Sequence, residues 1–441
     1  MKKHEMTLPG YVAECLEALE RAGYACYAVG GCVRDACLGK TPQDYDLCTS
    51  ATPESMRTVF AKYPQILAGE KHGTVGVITD GGVVEITTFR TEGGYQDNRH
   101  PDWVNFVEDI HQDLARRDFT VNAMAYSPEK GLIDPFGGQE DLQKKILRAV
   151  GDPSTRFRED ALRILRGMRF SVTYNLTPEE ETLKSMIQCA AGLETVARER
   201  IFEELCKFLL KAKAADILRY APILTRVLPP LAPAMGFLQH SPHHAYDVYT
   251  HTAYVVESVG EELALRWAAL LHDVGKVAAF TMDENGRGHF YGHAQISAEM
   301  ADDLLLALKA PTALRRQVTE LIRRHMQELP VDKKSMRRQL SKLGQETFGQ
   351  LLTLQKADFC SKGVDGNLEE FLRAEDLLCE ILEEVPCLTA KDLAVNGQDM
   401  MALGLKGKDI GTMLEKLLQM VLEEQLPNEK TALLQAAKKE I

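Results

Sequence analysis

Residues 27–46 read YAVGGCVRDACLGKTPQDYD. The apolar run at 24–29 has the pattern of a short buried strand. It stops at Gly30 and Gly31, and a helix can begin from Val33. Glycines let backbone amides approach a phosphate, and a helix N-terminus favours an anion. Asp44 and Asp46 follow, one residue apart. On a strand, residues i and i+2 point the same way. The two carboxylates can therefore hold divalent metal beside that phosphate. A phosphate cradle joined to an Asp-x-Asp pair points to nucleotidyl transfer.

The bulk composition frames this reading. The chain has 441 residues, 45% hydrophobic and 26% charged, which suits a folded protein of roughly two to four domains. No run approaches the roughly 20 apolar residues of a membrane span. The opening MKKHEMTLPG has no apolar core behind its lysines, so a secretory signal is not expected. The expected location is cytoplasmic, with no membrane partner. Ten cysteines lie scattered without a CxxC pair, which predicts reduced thiols and neither a disulfide framework nor a zinc site. A net charge of −12 argues against blanket affinity for nucleic acid. It leaves room for local basic tracks at 156–169, 315–324 and 333–342, and at least one is expected to follow a nucleic-acid backbone.

Residues 1–150 mix strands and helices, with strands expected at 26–29, 74–78, 83–89 and around 104–107. The polar, glycine-bearing stretch 91–105 (TEGGYQDNRHPDWVN) has the composition of a mobile loop. From about Asp152 the chain is almost wholly helical in pattern. Thr177-Pro178-Glu179-Glu180 predicts a helix start, with a capping Thr and Pro in the first turn. Leu228-Pro229-Pro230 predicts a linker, and Gly404–Gly407 a turn within a helical tail.

Three further segments sharpen the opening reading. Residues 116–125, RRDFTVNAMA, offer arginines that can neutralise and orient a triphosphate by bidentate contacts. Residues 134–138, DPFGG, predict a tight turn. Residues 159–170, EDALRILRGMRF, predict a helix whose Ala161, Ile164, Leu165 and Met168 form an apolar stripe. Asp160, Arg163, Arg166 and Arg169, three apart, would lie on a neighbouring face, either as a salt-bridged surface or as ligand contacts. Glu85, in VVEITTFR, is either a third acid near the metals or an exposed strand residue.

The strings GGCVRD, DYD, TFRTEGGY, RRDFTVNAMAY, DPFGGQEDL, EDALRILRGMRF and ARERIFEEL occur in this order over about residues 25–210. Together they resemble the class II tRNA nucleotidyltransferases, the CCA-adding enzymes and their poly(A) polymerase relatives. The tail string GLKGKDIG is also similar. The resemblance implies two Mg²⁺ ions on Asp44 and Asp46, and nucleotide contacts at Gly31 and Arg34. It implies that Arg117, Arg166 and Arg169 hold triphosphate or ribose, and that Asp160 and Arg163 read the incoming base. Cytosine and adenine both present an amino donor beside a ring-nitrogen acceptor, which an Asp and an Arg can match. Uracil and guanine lose both bonds, and buried polar groups left unpaired discriminate strongly. The implied reaction is attack by the tRNA 3′-hydroxyl on the α-phosphorus of CTP or ATP, with pyrophosphate leaving. In this family the loop corresponding to 91–105 is associated with adding A. Its full length disfavours C-only addition and leaves full CCA addition, A-addition alone and poly(A) polymerase as alternatives.

Most of the histidines lie between His240 and His325. His251, His272-Asp273 and Asp358 have the order H…HD…D, in a context that resembles the HD phosphohydrolase domains found appended to some bacterial tRNA nucleotidyltransferases. The resemblance implies a divalent metal on His251, His272, Asp273 and Asp358, with His293 and His325 as additional metal or phosphate ligands and Lys276 near a phosphate. A polar His-Asp pair inside the apolar run AALLHDVGK needs partners when buried. An HD phosphohydrolase as the main activity is the contrasting hypothesis, and a noncatalytic RNA-binding protein a third. The expected fold is an α+β head with a mixed sheet (1–150), an all-α neck carrying the base-reading helix (151–228), an HD-type helical domain (229–361) and a helical, tRNA-binding tail (362–441).

Overall fold

The computed structural model describes residues 6–93, 103–364, 366–384 and 387–441. The chain forms two compact units. One runs to Pro229 and includes Ala307–Lys309; the other comprises Pro230–Leu306 and Ala310–Ile441.

The first unit begins with α1 (Gly10–Arg21), β1 (Cys26–Val29), α2 (Gly31–Cys37), β2 (Asp46–Thr49) and α3 (Pro53–Val59). It continues through β3 (Gln65–Ile66), β4 (Thr74–Thr79), β5 (Gly82–Thr88), β6 (Arg90–Gly93), β7 (Trp103–Phe106) and α4 (Ile110–Ala115). Then come β8 (Ala125–Ser127), β9 (Gly131–Ile133), α5 (Gly138–Lys144) and β10 (Ile146–Leu147). Seven strands form one mixed sheet in the order β3-β4-β5-β2-β1-β8-β9. Its β2–β5 pair is parallel, with Asp46 opposite Glu85, and the other pairs are antiparallel. Every residue of β1 is buried, because both faces of the sheet are covered there. Tyr27, Val29, Cys48 and Phe89 pack with Ile110 and Leu114 of α4. Helix α1 also packs on β1 and buries Val12, Cys15, Leu16 and Leu19. Full burial of each large aliphatic side chain contributes about 1.5–3 kcal/mol.

The stretch read as a mobile loop begins and ends in paired strands: β6 and β7 pair antiparallel from Arg90–Phe106 to Gly93–Trp103. Residues 94–102 lie outside the described residues.

The helical part of this unit holds α6 (Pro153–Glu159), α7 (Leu162–Tyr174), β11 (Thr177–Pro178), α8 (Glu180–Cys189), α9 (Arg198–Leu209), α10 (Ala214–Arg219) and α11 (Ala221–Val227). Two expectations are corrected here. Asp160 is not on a helix: it is extended, with φ −141° and ψ 103°, between α6 and α7. Thr177 does not cap a helix. It pairs with Ile146 in a short parallel bridge, and α8 starts after Glu179. Glu179 is held there by Arg148 and by a hydrogen bond from Thr182. Helix α7 rests directly on the first half of the unit. A Cβ added at Gly167 would lie 2.8 Å from the Phe119 ring, and Phe170 meets Phe119 edge-on at 5.9 Å.

The second unit contains α12 (Val248–Ser258), α13 (Leu263–Leu271), α14 (Lys276–Ala279), the hairpin β12–β13 (Thr281–Met282, Gly288–His289), α15 (His293–Ala307) and α16 (Thr312–Arg324). The elements α17 (Lys333–Leu343), α18 (Gln345–Cys360), α19 (Glu369–Glu383), α20 (Gly397–Ala402), α21 (Lys408–Leu422) and α22 (Lys430–Glu440) complete it. Helix α13 is buried all round, the signature of a central helix in a bundle. The basic clusters of this unit are largely matched by acids. Arg323 and Arg324 pair with Glu320, Arg337 with Glu384 and Glu424, and Arg338 with Glu423. No helix among the described residues is long and apolar enough to cross a membrane.

Candidate active site and a histidine-rich cluster

A cavity of about 430 Å³ opens in the first unit. Its wall takes Gly30, Gly31, Arg34 and Asp46 from the sheet region, Arg117, Asp118 and Asn122 from the RRDFTVN segment, Asp160 from the link between α6 and α7, and Arg163, Arg166 and Arg200 from the helices. Residues far apart in sequence thus meet around one space. Of the sequence-expected site residues, Asp44 and Arg169 are not on that wall.

Gly30 has φ 72° and ψ −122°, a conformation open to glycine and strained for other residues. A Cβ there would also lie 3.0 Å from Arg117 Nη1. The chain therefore turns tightly from β1 into α2, which begins at Gly31. Arg34 points back at the cavity but is not free. Its Nε donates to Asp35 at 3.0 Å, Nη1 to Asn122 Oδ1 at 2.5 Å, and Nη2 to the Tyr174 hydroxyl. The Tyr174 ring lies 4.0 Å from its guanidinium carbon. Arg34 is thus built into the wall as a brace.

Asp46 opens β2, and Asp44 sits before the strand; both are exposed, with Tyr45 buried between them. Crowding by surrounding protein, then Glu85, lifts the Asp46 carboxyl above its usual value; Arg117 opposes this and Asp44 adds to it. Three acids thus gather where one arginine only partly compensates.

Asp113 was not singled out in the sequence, yet it organises this corner. Its carboxylate is fully buried. Arg116 Nη2 donates to it at 2.7 Å, Arg117 Nη2 at 3.2 Å and the Arg90 backbone N–H at 3.3 Å. Burial alone would raise this carboxyl, but Arg116 and Arg117 hold it below its usual range. Asp118 plays a similar part for Arg166, whose Nε donates to it at 2.9 Å. Asp118 also accepts from Asn122 Nδ2 at 3.1 Å. Its missed signal was position: it is the one acid inside an arginine-rich string.

Arg163 is buried and tied down. It donates to Glu159 Oε2 at 2.8 Å and to the carbonyls of Arg156 and Arg116, both at 3.2 Å. Arg169 donates to Glu204 at 2.6 Å and lies 4.3 Å over the Phe170 ring. Asp160 Oδ1 accepts from the Leu162 N–H at 3.0 Å.

The second unit brings the H…HD…D residues together with His293 and His325. His251 comes from α12, His272-Asp273 from the end of α13, His293 from the start of α15, His325 from just past α16 and Asp358 from α18. His251 Nε2 lies 2.9 Å from Asp358, and His272 Nε2 3.1 Å from Asp273. His293 Nε2 is 3.3 Å and His325 Nε2 3.9 Å from the other Asp273 oxygen. Each ring faces a backbone carbonyl through Nδ1: His251 with Ser361, His272 with Ala269, His293 with Phe290, His325 with Ile322. That bond places the proton on Nδ1 and leaves the Nε2 lone pair inward, the arrangement of metal-binding imidazoles. His251 Nε2, His272 Nε2 and Asp273 Oδ1 are buried without a hydrogen-bond partner, while the Lys276 ammonium meets Asp273 Oδ2. Two ligand groups result, His251-His272-Asp273 and Asp273-His293-His325. Burial, reinforced by His272, pulls His325 down to about 4, so it is neutral and able to ligate. Lys276 Nζ lies 2.7 Å from Asp273.

Comparison with known proteins fits this geometry. Residues 26–148 match the family described as "Poly A polymerase head domain", and residues 175–235 match "Probable RNA and SrmB- binding site of polymerase A". Residues 284–437 match tRNA nucleotidyltransferase domain 2. The fold is that of a nucleotidyltransferase, a mixed α/β head followed by a helical body. A CCA-adding enzyme of Levilactobacillus brevis is 34% identical over 425 residues, covering 96% of this chain and 95% of the relative. One from a Geobacillus species is 34% identical over 409 residues, covering 91% and 90%. The chain belongs to the CCA-adding enzyme family. Among solved structures, the Bacillus stearothermophilus CCA-adding enzyme in complex with CTP is 27% identical, with a TM-score of 0.70 over 99% of this chain and 98% of that one. The Thermotoga maritima enzyme complexed with tRNA, 21% identical with a TM-score of 0.61 over 98% and 96%, shares the fold.

Proposed function

We propose that this chain adds CMP and AMP, from CTP and ATP, to the 3′ end of tRNA without a nucleic-acid template, completing and repairing the CCA terminus and releasing pyrophosphate. The observation that carries this reading is the shared cavity. Asp46 and the Gly30-Gly31 turn face Arg117, Arg166 and Asp160 across one space, in a chain that belongs to the CCA-adding family along nearly its whole length.

Within that reading Gly31, Arg117 and Arg166 hold the triphosphate or ribose, with Arg34 bracing the wall and Arg169 supporting Phe170. Asp160 accepts the amino group of cytosine or adenine, and Arg163 supplies a donor to the ring nitrogen. Asp44, Asp46 and Glu85 form an acid-rich edge whose clustered carboxylates suit Mg²⁺. When bound there, paired divalent ions stabilise the attacking and leaving oxygens. The neck (151–228) and tail (362–441) hold tRNA by shape and phosphate contacts. The working location is the cytoplasm.

The test uses Mg²⁺ and three tRNAs, ending in the discriminator base, in C, or in CC, with labelled CTP or ATP. Extension of all three to CCA is expected. Extension of the CC-ending tRNA alone would make it an A-adding enzyme, and long oligo(A) on unrelated RNA a poly(A) polymerase. Asp160→Ala should blur selection against UTP more than it weakens triphosphate binding.

A second reading concerns residues 229–361. Four imidazoles that turn Nε2 toward Asp273 and Asp358 suit divalent metal that activates water. We infer an additional phosphohydrolase site there, with His251, His272, Asp273 and Asp358 as ligands, joined by His293 and His325. As the main activity it predicts that His272→Ala abolishes function and Asp46→Ala spares it; the leading reading predicts the reverse for nucleotide addition.

A further inference from the structure

The cavity wall carries six arginines: Arg34, Arg116, Arg117, Arg163, Arg166 and Arg200. The first five each donate a hydrogen bond to an acid: Arg34 to Asp35, Arg116 and Arg117 to Asp113, Arg163 to Glu159 and Arg166 to Asp118. Arg200 is the exception. Its nearest acid is Asp160, with Nη2 3.8 Å from Oδ2, beyond hydrogen-bond reach. Its Nη1 is buried without a hydrogen-bond partner. A buried guanidinium N–H left unmade is costly, so a donor held in reserve at a cavity marks a place where a ligand or a small rotation completes the bond.

The two oxygens of Asp160 are not equivalent. Oδ1 is committed to the Leu162 N–H at 3.0 Å. Oδ2 is the one beside Arg200. The position of Arg200 is set by packing. It is the third residue of α9, and α9 lies against α7, which begins two residues after Asp160. The neighbouring Ile201, Phe202 and Leu205 are buried.

We propose that Arg200 is a positioning residue for base selection. It holds Asp160 Oδ2 turned into the cavity, so that this oxygen accepts the exocyclic amino group of cytosine or adenine. The inference rests on the reading of Asp160 as the base acceptor. Arg163 is turned to other partners: its Nη1 donates to Glu159 and the Arg156 carbonyl, and its Nη2 to the Arg116 carbonyl. The 3.8 Å gap leaves the carboxylate room to take a second donor, and the attraction across it still orients the side chain.

The test compares Arg200→Gln, Arg200→Lys and Asp160→Ala in the full-length protein, with kcat and KM for CTP, ATP and UTP on tRNA lacking its 3′ terminus. Arg200→Gln is expected to cut the kcat/KM preference for CTP over UTP by about tenfold, the scale of one charge-assisted bond. Arg200→Lys is expected to restore most of it. Thermal unfolding of each variant is followed in parallel. Unchanged CTP-over-UTP preference in Arg200→Gln, beside blurred preference in Asp160→Ala, overturns the role of Arg200 and leaves the base-reading assignment standing. Unchanged preference in both overturns the assignment itself. An equal loss for all three nucleotides with a lowered Tm assigns Arg200 to structure alone and also overturns the proposal.

Discussion

The buried carboxylate of Asp113 accepts from Arg117 Nη2 at 3.2 Å, and so ties the cavity arginine to helix α4. The same carboxylate reaches Arg116 and the Arg90 backbone. It therefore links the β6–β7 hairpin to the residue that would face the triphosphate.

Asp113→Asn should weaken both fold and nucleotide binding. Breaking a buried pair by removing one charge costs about 3–5 kcal/mol. A lowered Tm and a raised KM for both CTP and ATP are the expected outcomes. An unchanged KM would show that Arg117 is held by other contacts. The pH dependence follows from the sign of the shift. The folded carboxyl titrates below its unfolded value of about 3.9, so its stabilisation is present above that value. It is lost as pH falls through the folded value. Acid unfolding of the wild type should therefore lose a component that Asp113→Asn lacks.

Asp46 has the opposite sign. Its folded carboxyl titrates above the unfolded value, so its contribution is fully present below about pH 3.9. That contribution is lost as pH rises through the folded value. At neutral pH burial, and then the neighbouring Glu85, thus work against the Asp46 carboxylate, and a divalent cation should relieve this. Saturating Mg²⁺ should raise Tm by roughly 2–4 °C, and Asp46→Asn should abolish that rise along with nucleotide addition. A Tm rise of equal size in Asp46→Asn would place the responsible ion elsewhere.

Gly30→Ala meets two obstacles, a positive φ and the Arg117 guanidinium 3.0 Å away. The backbone strain alone costs about 1–3 kcal/mol. Displacing Arg117 should add a loss in kcat/KM for CTP that thermal unfolding does not account for. Normal kinetics in a merely less stable variant would count against the cradle.

His272→Ala should leave CTP incorporation intact and lower the bound divalent metal measured by elemental analysis after gel filtration. His272 Nε2 is buried among Asp273, Asp358 and the rings of His251 and His325, a place where an imidazole without a ligand has poor partners. Metal content equal to wild type would remove the second reading.

Much of this protein was legible before any coordinates. The buried strand at Cys26–Val29, the glycine turn and the helix after it follow from local periodicity and from the φ that only glycine tolerates cheaply. The H…HD…D order foretold that His251, His272 and Asp273 would meet in the fold, which they do. Local rules failed at Thr177, where a capping pattern was overridden by pairing with Ile146. They failed at Asp160 too, which helical spacing placed on a face it does not occupy. Spacing could name the arginines; it could not say which were already spent. That Arg34 and Arg163 are tied inside the wall, that Asp113 anchors Arg117, and that Arg200 keeps an unpaired donor beside Asp160 were decided by the tertiary structure. Hydrogen-bond partners of buried groups are chosen across sheets and helices by packing, and packing is not written in the neighbouring residues.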